Sequence, residues 1–473
     1  MENRRDQRKR KEKQLMACLI CLFALMLASV IGITIKTAVK RSARNGNVQD
    51  VETMGQMEDT EEEKERDLLK DFVLEIPTEE KAQPESETET ETETETEEET
   101  ETEEEDTQEA EDTEEKKEEE KPKTSEELLE KMTIEEKVAQ MFMVTPEALT
   151  GYDKVTSAED ATKKALEEYP VGGLIYFAEN FVTPEQTKEM TGNVQKFAEE
   201  ISDAPLFLAT DEEGGRVARI GGNAAFEVET VPDMASIGQS GENGDVKAAL
   251  QAGQTIGKYL YDLGINVDFA PVADVLTNPD NQVIGNRSFG SRPEIVALMD
   301  LSVMEGLKKE NVQACIKHFP GHGATAGDTH SGAVSLDKTL EELEKTELLP
   351  FQSCIDSGVP FVMVSHIALP KVTGDDLPAS LSKNIITDIL REKMGYRGIV
   401  ITDAMNMGAI TSHYNSKEAA VKAIQAGVDM VLMPNDFKEA YQGVLEALEN
   451  GTLEEARVDE SVKRILDLKF QMK

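Results

Sequence analysis

From about residue 124 onward the chain alternates between two hydrophobic patterns. Short runs that are apolar at nearly every position recur: QMFMV (140–144), VGGLIYF (171–177), PLFLAT (205–210), INVDFAPV (265–272), VQACIKHF (312–319), PFVMVSHI (360–367), GIVITDA (398–404) and GVDMVLM (427–433). Runs of this length without strict alternation suit strands covered on both faces, as in parallel sheets. Between them lie longer stretches with helix-start signals. Thr124 with Glu127 and Thr133 with Glu136 form capping-box patterns, and Thr183 followed by Pro184 opens a helix running to about Ile201. Eight apolar strands alternating with helices across 124–473 predict an α/β fold, a (β/α)8 barrel of the TIM type. A doubly wound open sheet is the competitor, but no G-x-G-x-x-G run follows an early strand.

Before residue 124 both patterns vanish. Residues 14–35 are 22 consecutive residues without a charge, and the basic segment 1–13 that precedes them carries Arg4, Arg5, Arg8, Lys9, Arg10, Lys11 and Lys13. Such a run is long enough to span a bilayer, and its positive flank predicts a cytoplasmic start with the rest of a single-pass protein outside the cell. A cleaved signal peptide, leaving a secreted protein, is the other reading. The run exceeds an ordinary signal core, however, and no clear small-x-small site closes it. Residues 36–123 are then a stalk. From 45 to 123 there are 8 basic and 35 acidic side chains, including SETETETETETEEETETEEE, which cannot bury enough apolar surface to fold. Calcium or partner binding by this tract lacks any ligand spacing.

Charge excludes one class of function. Of the net charge of −44, residues 124–473 contribute 31 basic against 56 acidic side chains, so no folded part offers the basic surface that nucleic acid requires. The four cysteines, Cys18 and Cys21 in the apolar run, Cys315 in a predicted strand and Cys354 in a predicted helix, suggest no structural disulfide.

Candidate chemistry gathers where the predicted strands end, which in such barrels is the catalytic face. KHFPGHGATAGDTHS (317–331) holds three of the five histidines and turns glycine-rich after its strand. Within it Asp328 stands two residues from His330, close enough to orient and charge-stabilise the imidazole for proton transfer. Asp211, Glu212, Glu213 and Arg216 follow strand three, Asp268 and Asp274 lie in and after strand four, and Lys317, His318 and His322 end strand five. Ser365 and His366 close strand six and Asp403 closes strand seven. Singly, such carboxylates are often helix caps and such histidines core residues; agreement over five strands points to a site. Zinc held by His318, His322, Asp328 and His330 is a rival, weakened by the lack of a helical H-x-x-x-H pair and by Lys317 beside the ion. Phosphate binding by the glycine-rich loop lacks the Walker spacing. An anchored carbohydrate-binding protein without catalysis is the non-enzyme reading, and the chain has no tryptophan to stack on sugars.

The motifs MTIEEKVAQM (132–141), DEEGGRVARI (211–220), NVDFAPVADV (266–275), IGNRSFG (284–290), KHFPGHGATAGDTH (317–330), PASLS (378–382) and GIVITDAMNMGAI (398–410) together resemble glycoside hydrolase family 3, within it the β-N-acetylglucosaminidases. The resemblance implies a retaining exo-glycosidase releasing terminal β-linked N-acetylglucosamine from oligosaccharides or cell-wall fragments, without cofactor or metal, from a protein expected to be monomeric. It aligns Asp403 with the nucleophile, His330 with an acid/base histidine and Asp328 with its partner. Asp211, Arg287, Lys317 and His318 match positions that hold the sugar. Lys317 and Arg287 are expected to keep Asp403 ionised, and His330 is expected to swing in on a flexible loop. Glu212 stands where relatives usually have Gln. Many relatives draw their acid from a second domain; here the chain stops at LDLKFQMK, where the last barrel helix should end, which favours His330. A phosphorylase using phosphate in place of water, or another β-glycosidase of the family, is the alternative.

Overall fold

The computed structural model describes residues 122–241 and 243–472. The predicted anchor at 14–35 and all but the last two residues of the predicted stalk lie outside them. Among the described residues no helix is long and apolar enough to cross a membrane.

Eight strands form one parallel sheet: β1 Phe142–Val144, β2 Gly173–Ile175, β3 Phe207–Thr210, β4 Val267–Asp268, β5 Gln313–Phe319, β6 Phe361–Val364, β7 Ile399–Thr402 and β8 Val431–Leu432. Their order is β7-β6-β5-β4-β3-β2-β1-β8. The two edges meet through a parallel bridge between Ile401 and Met430 and the Thr402 amide, which donates to the Met430 carbonyl at 3.1 Å. The sheet is therefore a nearly closed barrel with helices on its outside, the architecture expected from the recurrent apolar runs. Each run is apolar throughout because one set of side chains fills the barrel and the other meets the helices. Met143, Ile175, Phe207, Val267, Cys315, Phe361, Ile399 and Met430 are buried inside, with Phe207 and Phe361 edge to face at 5.1 Å.

The helix Glu455–Gln471 closes the floor. Ile465 joins the interior cluster, and Lys469 donates to the buried Gln140 at 2.8 Å while lying 5.1 Å from the Phe207 ring. Beside it Asp429, fully buried just before β8, accepts from Arg391 of the preceding helical segment, from Arg457 and Arg464 of this last helix, from Ser461 and from the Val400 amide. Burial alone would raise this carboxyl, but the three guanidinium groups hold it below the usual range.

Local signals act as read. Thr124 and Thr133 cap their helices, the second with a complete capping box, and the helix announced by Thr183 runs Pro184–Ser202. Cys315 and Cys354 are buried free thiols. Two features depart from expectation. The strand at 265–272 shrinks to Val267–Asp268, partly because Pro271 has no amide for the ladder. After β3 an unforeseen hairpin pairs Glu212–Gly214 with Val217–Ala218. Its turn uses Gly214 and Gly215 at φ 84° and 55°, and a Cβ on Gly215 would sit 2.0 Å from Asp233 Oδ1.

Candidate active site

At the carboxyl ends of the strands lies a cavity of about 500 Å3 whose lining includes Asp211, Glu213, Arg216, Arg219, Arg287, Lys317, His318, Asp328, His330 and Asp403. Its wall is built around one carboxylate. Glu213, carried by the hairpin after β3 and with a side chain only 1% exposed, accepts from Lys317 at 2.6 Å and takes both arms of Arg287, Nε at 2.7 Å and an Nη at 2.8 Å. Burial pushes the Glu213 carboxyl upward, but Lys317 and Arg287 outweigh it and hold it well below the carboxylate range. Lys317 also reaches Asp211 at 2.7 Å. Burial would lower its pKa; Asp211 and Glu213 reverse this and keep the ammonium charged.

Behind this wall stands a second carboxylate. Asp274 is fully buried, accepts from the His322 amide at 2.5 Å and lies 2.6 Å from Nδ1 of His318. Nε2 of His318 faces an Arg287 nitrogen at 3.2 Å. Arginine can only donate, so Nε2 is the acceptor and the imidazole proton sits on Nδ1, shared with Asp274. Burial alone would raise the Asp274 carboxyl, but the facing His318 and His322 outweigh it and hold it below its usual range.

Asp403 follows β7, half-buried, with its amide on Val364 and its Oδ1 accepting from the Ala404 amide at 2.8 Å. Burial raises its carboxyl; His318, His366, the Ala404 amide and Lys317 together bring it below the usual range. His366, buried between Ser380 and the Ala404 carbonyl, is itself lowered by burial. Arg287 was expected to support Asp403 beside Lys317. Instead its guanidinium is committed to Glu213 and His318.

His330 and Asp328 are exposed, at 66% and 43%, with Nδ1 of the ring 2.8 Å from the carboxylate and the His330 amide on the same oxygen at 2.9 Å. That pairing leaves Nε2 for proton exchange. Their loop is tied down: the amides of Gly408 and Ala409, just after Asp403, donate to the carbonyls of His330 and Thr329 at 3.2 and 3.1 Å. A Cβ at Gly408 would lie 2.7 Å from the His330 carbonyl, so glycine permits the approach. The expected swing of His330 finds this loop pinned to the segment that carries Asp403.

The seven residues singled out in the sequence, Asp211, Arg287, Lys317, His318, Asp328, His330 and Asp403, thus line one cavity. The four proposed zinc ligands do not converge: His318 holds Asp274 and Arg287, His322 holds Thr325, and Asp328 holds His330. Among the described residues no group of three or more histidines, cysteines or carboxylates is placed to share a metal ion. Glu213 and Asp274 stood among the strand-end carboxylates in sequence, yet nothing there marked them as the centres of the network. Glu212 turns away from the cavity, accepting the amides of Arg219, Ile220 and Gly221 and the hydroxyl of Tyr259.

Comparison with known proteins agrees with this picture. Residues 133–468 match the glycosyl hydrolase family 3 N-terminal domain. The chain is 34% identical over 339 residues to beta-hexosaminidase A of Pseudoalteromonas piscicida, covering 67% of this chain and 56% of that protein. It is 33% identical over 322 residues to a beta-hexosaminidase of Nitrosomonas eutropha, covering 66% and 89%. A family 3 beta-N-acetylglucosaminidase from Paenibacillus sp. str. FPU-7 superposes with a TM-score of 0.67 at 37% identity, over 72% of this chain and 63% of that one. The chain therefore spans little more than half of the first relative and most of the second, and the matched region takes in the whole barrel: this chain belongs to glycosyl hydrolase family 3.

Proposed function

We propose that the barrel is a retaining exo-β-N-acetylglucosaminidase that hydrolyses terminal β-linked N-acetylglucosamine through a covalent glycosyl-enzyme intermediate. A retaining glycosidase needs a carboxylate nucleophile and a proton donor flanking one glycosidic bond. The observation that carries the reading is that half-buried Asp403 and the exposed His330–Asp328 pair line the same cavity on loops joined by backbone hydrogen bonds. Asp403, ionised and fixed at a strand end, attacks the anomeric carbon. His330, oriented by Asp328, protonates the leaving oxygen and then takes a proton from the attacking water. Asp211, Arg287, Lys317 and His318 bind the sugar hydroxyls, already held by Glu213 and Asp274. The names of the beta-hexosaminidase relatives and of the Paenibacillus enzyme support the choice of an aminosugar.

The test is turnover of an aryl β-N-acetylglucosaminide in phosphate and in phosphate-free buffer, with the product identified by NMR. Free N-acetylglucosamine, first released as the β anomer in both buffers, is expected. A sugar 1-phosphate would overturn hydrolysis, and turnover of only the aryl glucoside would overturn the aminosugar assignment. Residues 14–35 act as a membrane anchor and 36–123 as a stalk in the same proposal, supported by the 22 uncharged residues and the acidic composition. A protein starting at Thr124 is then expected to be soluble and to retain full activity.

A further inference from the structure

The cavity lining pairs four carboxylates, Asp211, Glu213, Asp328 and Asp403, with four permanent cations, Arg216, Arg219, Arg287 and Lys317. The other two cations are differently placed from the pair that meets at Glu213. Arg216 spends an Nη group on the carbonyls of Gln282, Val283 and Ile284, whereas Arg219 lies over the Phe177 ring at 5.5 Å and 3.6 Å from Asp211. Only Lys317 and Arg287 share a single, almost inaccessible anion. Two cations side by side in a cavity wall are what an oxyanion of the phosphate or sulfate type binds best. A neutral sugar asks something else of them: donors in fixed directions, without a net field that draws in buffer anions.

We infer that Glu213 is a positioning and specificity-determining residue, whose buried charge converts Lys317 and Arg287 from an anion-binding pair into directed donors for neutral sugar hydroxyls. This deepens the reading above, since it takes that wall to be the sugar-binding side. The geometry fits both halves of the role. The carboxylate plane receives Arg287 along two parallel bonds, which fixes the guanidinium in plane, while the same oxygen that takes the Nη group also takes Lys317. Replacing one carboxylate oxygen by an amide, as in Glu213→Gln, keeps the volume but leaves the wall with one uncompensated positive charge and turns an N–H toward a cation.

Sodium sulfate is titrated against the wild type, Glu213→Gln and Glu213→Asp, with sodium chloride at matched ionic strength as control, following heat released and thermal midpoint. Glu213→Gln is expected to bind sulfate at least tenfold more tightly than the wild type and to rise in midpoint with it, while Glu213→Asp, which keeps the charge, stays as indifferent as the wild type. With the aryl N-acetylglucosaminide, kcat/KM of Glu213→Gln should fall about a hundredfold, the usual scale for unpairing buried charges. Most of the loss should lie in KM, with inorganic phosphate becoming a competitive inhibitor. Equal sulfate affinity in folded Glu213→Gln and wild type would overturn the inference, as would an equal gain in both variants, which would trace the effect to lost packing. If Glu213→Gln does not fold alone, sulfate that restores the folded form supports the inference and sulfate that fails to do so refutes it. The titration uses no glycoside, so its answer stands apart from whether the aminosugar is the substrate.

Discussion

Asp274→Asn changes one atom in a fully buried side chain and sets two hydrogen-bond requirements against each other. The wild-type carboxylate accepts on both sides, from the His322 amide at 2.5 Å and from the Nδ1 proton of His318 at 2.6 Å. An asparagine offers one acceptor and one donor. If its oxygen faces the amide, its NH2 faces Nδ1 and drives the imidazole proton to Nε2, where Arg287 also donates. If its oxygen faces Nδ1, its NH2 meets the His322 amide. Either orientation leaves a buried donor against a donor. Losing one charge-assisted bond and creating one unsatisfied donor costs about 3 kcal/mol. A folded part of roughly 350 residues unfolds with an entropy of about 0.7 kcal/mol per degree, so the midpoint should fall by about 4 °C. Because the conflict passes through His318 and Arg287 into the sugar-binding wall, kcat/KM should drop about a hundredfold, equal to about 2.7 kcal/mol of transition-state stabilisation. Differential scanning calorimetry and steady-state kinetics on one preparation measure both. A midpoint within about 1 °C of wild type together with kcat/KM within twofold would refute the tautomer argument.

Three further outcomes are expected. Asp403→Asn should abolish turnover with the barrel folded, and residual activity above about a hundredth of wild type would exclude it as nucleophile. With an aryl leaving group that departs without a proton, His330→Ala should slow deglycosylation more than glycosylation, and azide should restore turnover by capturing the intermediate; Asp328→Ala should show a milder form, and failure of azide to act would remove His330 from the acid/base role. Asp300 in the helix Pro293–Lys309 is fully buried with no hydrogen-bond partner for either oxygen among the described residues, and burial, aided by Asp274, pushes its carboxyl well up. A raised folded-state pKa means stability that is complete below the unfolded pKa near 4 and is lost as pH rises. Asp300→Asn should therefore be more stable than wild type at pH 7, by a margin that grows above pH 4 at up to about 1.4 kcal/mol per pH unit, and a pH-independent margin in urea unfolding would count against it.

The barrel was legible in the sequence for a physical reason: strands covered on both faces are apolar at every position, so eight such runs stand out against helical spacing. Their limits were not, as at 265–272, where Pro271 and the turn toward Asp274 cut the ladder short. The hairpin carrying Glu213 went unread because its first strand and turn, Glu212 to Arg216, are charged or glycine, without strand propensity; tertiary contacts with Asp268, Tyr259 and Asp233 hold it. The motif residues could be read individually, and the resemblance supplied their grouping. Which cation pairs with which carboxylate could not be read, because Glu213 and Lys317 are 104 positions apart and only the curvature of the sheet brings them to 2.6 Å. Arg287 shows the gap: its charge suited support of Asp403, while its geometry serves Glu213.

Asp429 has a consequence for how the molecule is made. Its charge is matched by one arginine from the segment before β7 and by two from the helix Glu455–Gln471. During synthesis β8 emerges before that helix, so for a time a carboxylate bound for the barrel floor has a single guanidinium partner, too little to offset its desolvation. Closing the β7–β8 seam and docking the helix then become one late event, with the earlier strands waiting on the ribosome for nearly the whole domain. Substitutions at Arg457 or Arg464 should consequently lower the yield of folded protein in the cell while leaving the turnover of each surviving molecule close to normal.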